Sequence, residues 1–105
     1  MKVSWSSEAR RKHREIREYI ATDNRRAARE WAIETLTATK KLSDLPYIGR
    51  VVPEFKREEL REIIYSRHYR IVYRVREDEI EIVTIAHTAQ RLEAIMSPES
   101  TEEKS

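Results

Sequence analysis

Three consecutive stretches of the sequence alternate with a period of two, and only short polar breaks separate them. In the middle stretch, residues 69–75, one face carries Tyr69, Ile71, Tyr73 and Val75, and the other carries Arg70, Val72 and Arg74. Successive side chains of a strand point to opposite faces, so this period predicts a strand. Residues 60–65 and 79–87 repeat the pattern, and the breaks at 66–68 and 76–78 are as short as hairpin turns require. We therefore predict an antiparallel meander whose arginines share one face, with the alternating run 2–5 as a fourth strand at its edge.

The residues before this meander have helical periodicity instead. Ser6 and Ser7 precede a stretch in which apolar residues recur at three- and four-residue steps as far as Ala21. A second N-cap lies among residues 22–24, and another apolar stripe continues to Leu42 before Pro46 ends the helix. Because the connection is short, the two helices should form an antiparallel hairpin packed on one face of a three- or four-stranded antiparallel sheet. We expect the other face of this α+β fold to stay partly open, and we expect Trp5, Tyr19 and Trp31 to be core residues.

Size and composition limit what the chain can be. Its 105 residues suffice for one small domain, and the absence of cysteine excludes disulfides and thiolate metal sites. A bilayer span needs about 18 to 20 apolar residues, and no stretch approaches this, so we expect a cytoplasmic protein. One glycine cannot form a glycine-rich phosphate loop, and the three histidines lack metal-ligand spacing. We therefore expect neither a cofactor nor a metal.

The charge is unevenly distributed along the chain. The net charge is +2, but residues 92–105 hold four glutamates and one lysine, a net −3, which leaves about +5 on the rest. A basic surface of this size suits an anionic partner such as a nucleic acid or an acidic polypeptide. Residues 97–105 have little to bury, so we predict a domain over 1–96 and a flexible acidic tail over 97–105.

Several short motifs follow one another in a specific order. They are Trp5-Ser6, Leu45-Pro46, Gly49-Arg50, Pro53-Glu54, Arg61-Glu62, the run Tyr-Arg-Ile-Val-Tyr-Arg at 69–74, and His87. In this order they resemble the RelE/ParE family, the toxins of type II toxin–antitoxin systems, over Val3 to about Leu92. The resemblance implies a helical hairpin on an antiparallel sheet. It also implies a cognate antitoxin whose flexible C-terminal segment folds onto the toxin.

The family has two branches with different targets. RelE-like members cleave messenger RNA on the ribosome, whereas ParE-like members inhibit DNA gyrase by binding it. For the nuclease branch the resemblance implies Glu54 as base and Arg70 as phosphate ligand, with His87 completing the site. The stretch from His87 to Arg91 is closer to the ParE or plasmid-stabilisation pattern, in which an arginine follows the histidine after a few residues. This chain departs from that pattern, because Gln90 stands at the commonest position of the arginine and Arg91 comes one residue later. We therefore favour a ParE-like gyrase inhibitor over an endoribonuclease, and a non-toxic partner-binding module is a third alternative.

Each candidate also has a structural interpretation. Glu54 can form an ion pair with a nearby arginine such as Arg50 or Arg57, and His87 can be a hydrogen-bonded structural residue. Arg70 and Arg74 can pair across strands with glutamates. The candidates for binding a target or a phosphate are Arg50, Arg57, Arg61, Arg74 and Arg91.

Overall fold

The computed structural model describes residues 1–66 and 68–99, which form two α-helices, two short 3-10 helices and five strands. Strand β1 spans Lys2–Trp5, helix α1 spans Ser7–Ala21 and helix α2 spans Arg25–Lys40. Strand β2 is Arg50–Val51, β3 is Leu60–Tyr65, β4 is Tyr69–Val75 and β5 is Glu79–His87. The predicted α+β class and the bounds of the three meander strands are confirmed.

Both helices begin where the sequence predicts. The side chains of Ser6 and Asn24 are the N-caps, and each accepts a hydrogen bond at 3.0 Å from the backbone N–H three residues later. Both helices pack on the same face of the sheet. The core between the helices and the sheet includes Ala9 of α1, Ile71 and Tyr73 of β4, and Ile80 and Ile82 of β5.

The sheet is larger and less uniform than predicted. Its strand order is β1-β5-β4-β3-β2, and β1 pairs with β5 in parallel, whereas the other neighbours are antiparallel. The expected fourth strand is therefore present but does not make the sheet antiparallel throughout. The fifth strand, β2, has only two residues and is too short to show an alternating pattern in the sequence.

One irregularity in β5 changes which side chains share a face. Val72 of β4 pairs with Thr84, but Tyr73 pairs with Ile82, so Val83 is an extra residue that forms a β-bulge. Strict alternation from Ile80 would put Ile85 and His87 on the opposite face from Ile80. The bulge restores them to the helical face, where Ile85 joins the same core.

The face opposite the helices is covered, which contradicts the expected open platform. A second core forms there from Val52, Leu60, Val72, Val83, Ala86 and Leu92, with Phe55 and Met96 packed against it. The loop after β2 and the segment after β5 supply this cover. As a result Arg70 and Arg74 are only 5% and 7% exposed. The prediction of an exposed cationic sheet face was wrong.

The C-terminal segment does not leave the domain at residue 97. Arg74 Nη2 donates to the carbonyl oxygen of Pro98 at 2.7 Å, and Arg57 forms an ion pair with Glu99. The rest of the predicted tail, residues 100–105, lies outside the described residues. Where the domain ends stays a prediction.

Tyr19 is the clear exception among the expected core residues. Trp31 is buried and Trp5 is partly buried, but Tyr19 is 74% exposed, so its assignment to the core was wrong. Neither of the helices described within 1–66 and 68–99 is long and apolar enough to cross a membrane.

Candidate functional site

A chain of ion pairs crosses the covered face of the sheet and includes two of the predicted site residues. Arg70 on β4 donates through Nη1 and Nη2 to the two carboxylate oxygens of Glu54, both at 2.6 Å. Its Nε donates to Glu62 on β3, also at 2.6 Å. The other oxygen of Glu62 accepts from Arg50 Nε at 2.6 Å. The ion pairs therefore connect four side chains in the order Arg50, Glu62, Arg70, Glu54.

The same chain holds the segment that follows β5. Glu54 Oε2 accepts from the backbone N–H of Leu92 at 3.0 Å, and Arg70 Nη1 donates to the carbonyl oxygen of Gln90 at 3.2 Å. Leu92 is fully buried in the second core. Thus Glu54 and Arg70 join the loop after β2 to the start of the C-terminal segment.

The electrostatics follow from this geometry. The hydrogen bonds from Arg70 lower the pKa of Glu54 to about 2, and burial opposes this only in part. The hydrogen bond to Glu54 in turn raises the pKa of Arg70 despite its burial. Both groups are therefore charged throughout the physiological pH range, and each has the other as its hydrogen-bond partner.

This arrangement is poorly suited to proton transfer. A general base works best when its pKa is near the operating pH, and the pKa of Glu54 is far below neutrality. A phosphate ligand needs free N–H groups, and those of Arg70 already bind Glu54, Glu62 and Gln90. As folded, the Glu54–Arg70 pair stabilises the covered face.

His87, the third residue of the predicted nuclease site, lies on the other face of the sheet. Its ring is 5.9 Å from the ring of Tyr69, centroid to centroid, and it lines a small cavity beneath α1 together with Tyr19 and Lys12. The backbone N–H of Ala89 donates to His87 Nδ1 at 3.1 Å. In the neutral ring the proton is therefore on Nε2. The structure brings Glu54 and Arg70 together but places His87 on the opposite face of the sheet.

The remaining candidate arginines fall into two groups. The side chains of Arg50 and Arg91 are exposed, although each has a glutamate partner, Glu62 and Glu93. Arg57 is partly exposed and pairs with Glu99.

The other two candidates, Arg61 and Arg74, form hydrogen bonds with backbone carbonyl oxygens close to the sheet. Arg61 donates to the carbonyl oxygen of Gly49 at 2.9 Å, and its guanidinium carbon lies 4.8 Å from the ring centroid of Tyr47. Arg74 binds Pro98 as described above.

Glu62 is the residue that sequence analysis underestimated. The sequence places it in the Arg61-Glu62 motif and among the glutamates that can pair across strands, yet it is 1% exposed and bridges Arg50 and Arg70. Its position offered a signal, since it lies two residues after Leu60 and so on the same, buried face of the strand. A carboxylate in a buried position needs cationic partners, and two arginines supply them.

No group of three histidine, aspartate or glutamate side chains within 1–66 and 68–99 is arranged to hold a metal ion.

The comparisons with known proteins decide the family. The family model described as the ParE toxin of the type II toxin–antitoxin system parDE matches residues 3–92, which is most of the chain. The chain belongs to the ParE toxin family. The resemblance predicted from the motifs is thereby confirmed, and the match has nearly the predicted limits.

A solved structure shares the fold of this ParE-family chain. It is described as the chromosomal ParDE toxin–antitoxin system from P. aeruginosa, with a TM-score of 0.68 and 20% sequence identity. The match covers 83% of this chain and 95% of that one. No curated protein sequence matches the chain.

Proposed function

We propose that this ParE-family chain is a toxin that inhibits DNA gyrase by binding it, in the cytoplasm, and that a cognate antitoxin neutralises it. The observation that carries the proposal is the separation of the three candidate catalytic residues. Glu54 and Arg70 neutralise each other on one face, and His87 is on the other. Catalysis of RNA cleavage needs a base, an acid and a free cation around one phosphate. Binding needs none of these.

The surface of the chain supports a role in binding macromolecules. Large apolar side chains are exposed beside β2 and β3: Leu45, Tyr47, Ile48 and Ile64 are each between 45% and 60% exposed. A further exposed pair on α2, Ile33 and Leu36, lines a groove with Arg25 and Arg29. Exposed apolar patches bordered by charged residues are typical of protein interaction sites.

Neutralisation by an antitoxin follows the same reasoning. A flexible segment that folds onto these apolar and basic surfaces would cover them and block the target. Such a segment is exposed to proteases whenever it is free, which makes neutralisation reversible. A module of this kind, carried on a plasmid, would stabilise that plasmid.

Inducing the chain in growing cells without an antitoxin tests the proposal. We expect growth arrest, accumulation of gyrase–DNA breaks and loss of negative supercoiling, with messenger RNA intact at early times. A chain with His87→Ala should act like the wild type, because His87 has no catalytic role in this proposal.

Early cleavage of transcripts at ribosomes would instead support the endoribonuclease. Normal growth with abundant folded chain would rule out both and leave a non-toxic partner-binding module.

A further inference from the structure

Two arginines on the covered face converge on one place where the chain binds its own C-terminal segment. Arg57 Nη1 and Arg74 Nη1 lie 4.0 and 3.9 Å from the same carboxylate oxygen of Glu59. The two guanidinium groups are therefore within about 8 Å of each other. Arg57 binds the carboxylate of Glu99, and Arg74 binds the carbonyl oxygen of Pro98 at 2.7 Å. We call this group, Arg57 and Arg74 with Glu59, the arginine site.

The segment that occupies the arginine site is held firmly at one end and loosely at the other. At its root, Leu92 is fully buried and its N–H is held by Glu54. At its tip, the side chain of Glu99 is 68% exposed and that of its partner Arg57 is 39% exposed. Exposed ion pairs of this kind contribute little to stability, so the tip can be displaced while the root stays in place.

We propose that the arginine site is a docking site for an acidic polypeptide segment of a partner, which the chain's own residues Pro98 and Glu99 occupy when the partner is absent. The ligand chemistry is that of the present occupant, a carboxylate on Arg57 and a backbone carbonyl on Arg74. The charge distribution favours the same partner class, since residues before the C-terminal segment carry an excess of positive charge.

Burial prepares Arg74 for such a ligand. Its side chain is 9% exposed, and this burial, together with the charges of Arg76 and Arg57, lowers its pKa although Glu59 and Glu81 act in the opposite direction. An oxygen ligand that approaches from the segment side therefore binds a charge held in a poorly solvated place, where attraction is stronger than in water. The carbonyl oxygen of Pro98 already binds Arg74 in this way. An extended partner peptide would present a backbone carbonyl oxygen beside each of its side chains.

The inference does not depend on gyrase as the target. The test measures binding of a peptide to the isolated full-length chain. A negative result would leave the proposed inhibition of gyrase untouched, and a chain that fails to inhibit gyrase could still bind the peptide.

The test compares two variants that each remove one negative charge from the C-terminal segment. Glu99→Ala removes the carboxylate that occupies Arg57 in the arginine site, whereas Glu93→Ala, the matched control, breaks the exposed pair with Arg91. The probe is a labelled peptide with the sequence of residues 97–105, and the readout is fluorescence anisotropy at low salt.

We expect Glu99→Ala to bind the probe about two- to fivefold more tightly than the wild type, which corresponds to loss of one competing exposed ion pair. Glu93→Ala should bind like the wild type. Adding Arg57→Ala to Glu99→Ala should remove the gain, and circular dichroism should confirm that each variant is folded.

Three results would overturn the proposal. An equal gain in Glu93→Ala would show an effect of net charge alone, and no gain in Glu99→Ala would show that the tip does not compete for the site. A gain for inorganic phosphate or a single-stranded RNA oligonucleotide without one for the peptide would assign the site to phosphate groups instead of an acidic polypeptide.

Discussion

At the scale of single residues, Glu54 is held at both of its carboxylate oxygens. Arg70 binds both, and the N–H of Leu92 binds one of them as well. The motif Pro53-Glu54 therefore has a structural consequence that can be measured without any assay of toxicity.

Replacing Glu54 with glutamine should destabilise the fold. Glu54→Gln removes one of two carboxylates that compensate the buried Arg70, and breaking a buried ion pair on one side costs about 3–5 kcal/mol. Because Glu54 is 15% exposed, we expect about 2–4 kcal/mol in urea unfolding. Glu30→Gln, which breaks an exposed pair with Arg26, should cost less than about 0.5 kcal/mol. Equal effects of the two variants would contradict the structural role of Glu54.

The depressed pKa of Glu54 also predicts a dependence of stability on pH. A carboxyl whose pKa is lower in the folded state stabilises the fold above its unfolded pKa, and this contribution is lost as the pH falls through the folded value. For Glu54 the window runs from 4.5 down to about 2. The difference in free energy of unfolding between wild type and Glu54→Gln should therefore shrink across this window. A difference that stays constant to pH 2 would show that Arg70 does not depress the pKa.

His13 predicts a second dependence at higher pH. Its ring stacks on Trp31, lies edge-on to Trp5 and contacts Thr35 Oγ1 at 2.7 Å. Burial, with a smaller contribution from the charge of Arg17, lowers its pKa from 6.5. Protonation therefore opposes folding, and stability should fall as the pH drops below 6.5. The temperature at the midpoint of thermal unfolding should therefore be lower at pH about 5.5 than at pH about 7.5.

The control for His13 is another histidine. In His87→Gln, which alters an exposed side chain, the decrease should persist, whereas it should shrink in His13→Gln. Persistence in both variants would assign the dependence to other groups.

At the scale of elements, the β-bulge at Val83 explains why the predicted catalytic residues do not meet. The sequence of β5 alternates well enough to predict a strand and both of its ends. It does not reveal that Val83 is an extra residue, because Ile82, Val83 and Ile85 are all suitable for a buried strand. A single insertion reverses the faces of all residues beyond it, and so His87 lies with the helices.

Gly49 shows a requirement of the short strand β2 that composition alone does not reveal. A Cβ at this position would lie 2.6 Å from the carbonyl oxygen of Glu62 and 2.6 Å from the hydroxyl of Tyr73, which accepts from the N–H of Gly49. Gly49→Ala should therefore separate β2 from β3 and cost about 1–3 kcal/mol in unfolding. Tyr73→Phe, which removes the hydroxyl but not the backbone clash, separates the two contributions. No loss in Gly49→Ala would mean that β2 does not approach β3 this closely.

At the scale of the whole molecule, the chain has three layers where the sequence predicts two. The helical layer was predictable because its apolar residues recur with a regular period. The cover on the other face was not, because Val52, Phe55, Leu92 and Met96 come from two irregular segments that have no period. Without that cover the arginines of β4 were expected to face solvent. The family was predictable because the order of its motifs survives these local differences.

The three layers also determine how the chain can act on a target. Arg70, Glu54 and Glu62 pair with one another on the central face, so the surfaces that we propose for the target are exposed apolar patches and peripheral arginines such as Arg50 and Arg91. The function proposed above is stoichiometric binding of gyrase. Its effect should therefore scale with its amount relative to the target.

Titration of purified chain into a DNA supercoiling reaction with purified gyrase tests this claim most directly. We predict that supercoiling is lost in proportion to added chain and that gyrase-bound broken DNA accumulates at comparable molar amounts of the two proteins. Full supercoiling in the presence of about a tenfold excess of folded chain would contradict the account.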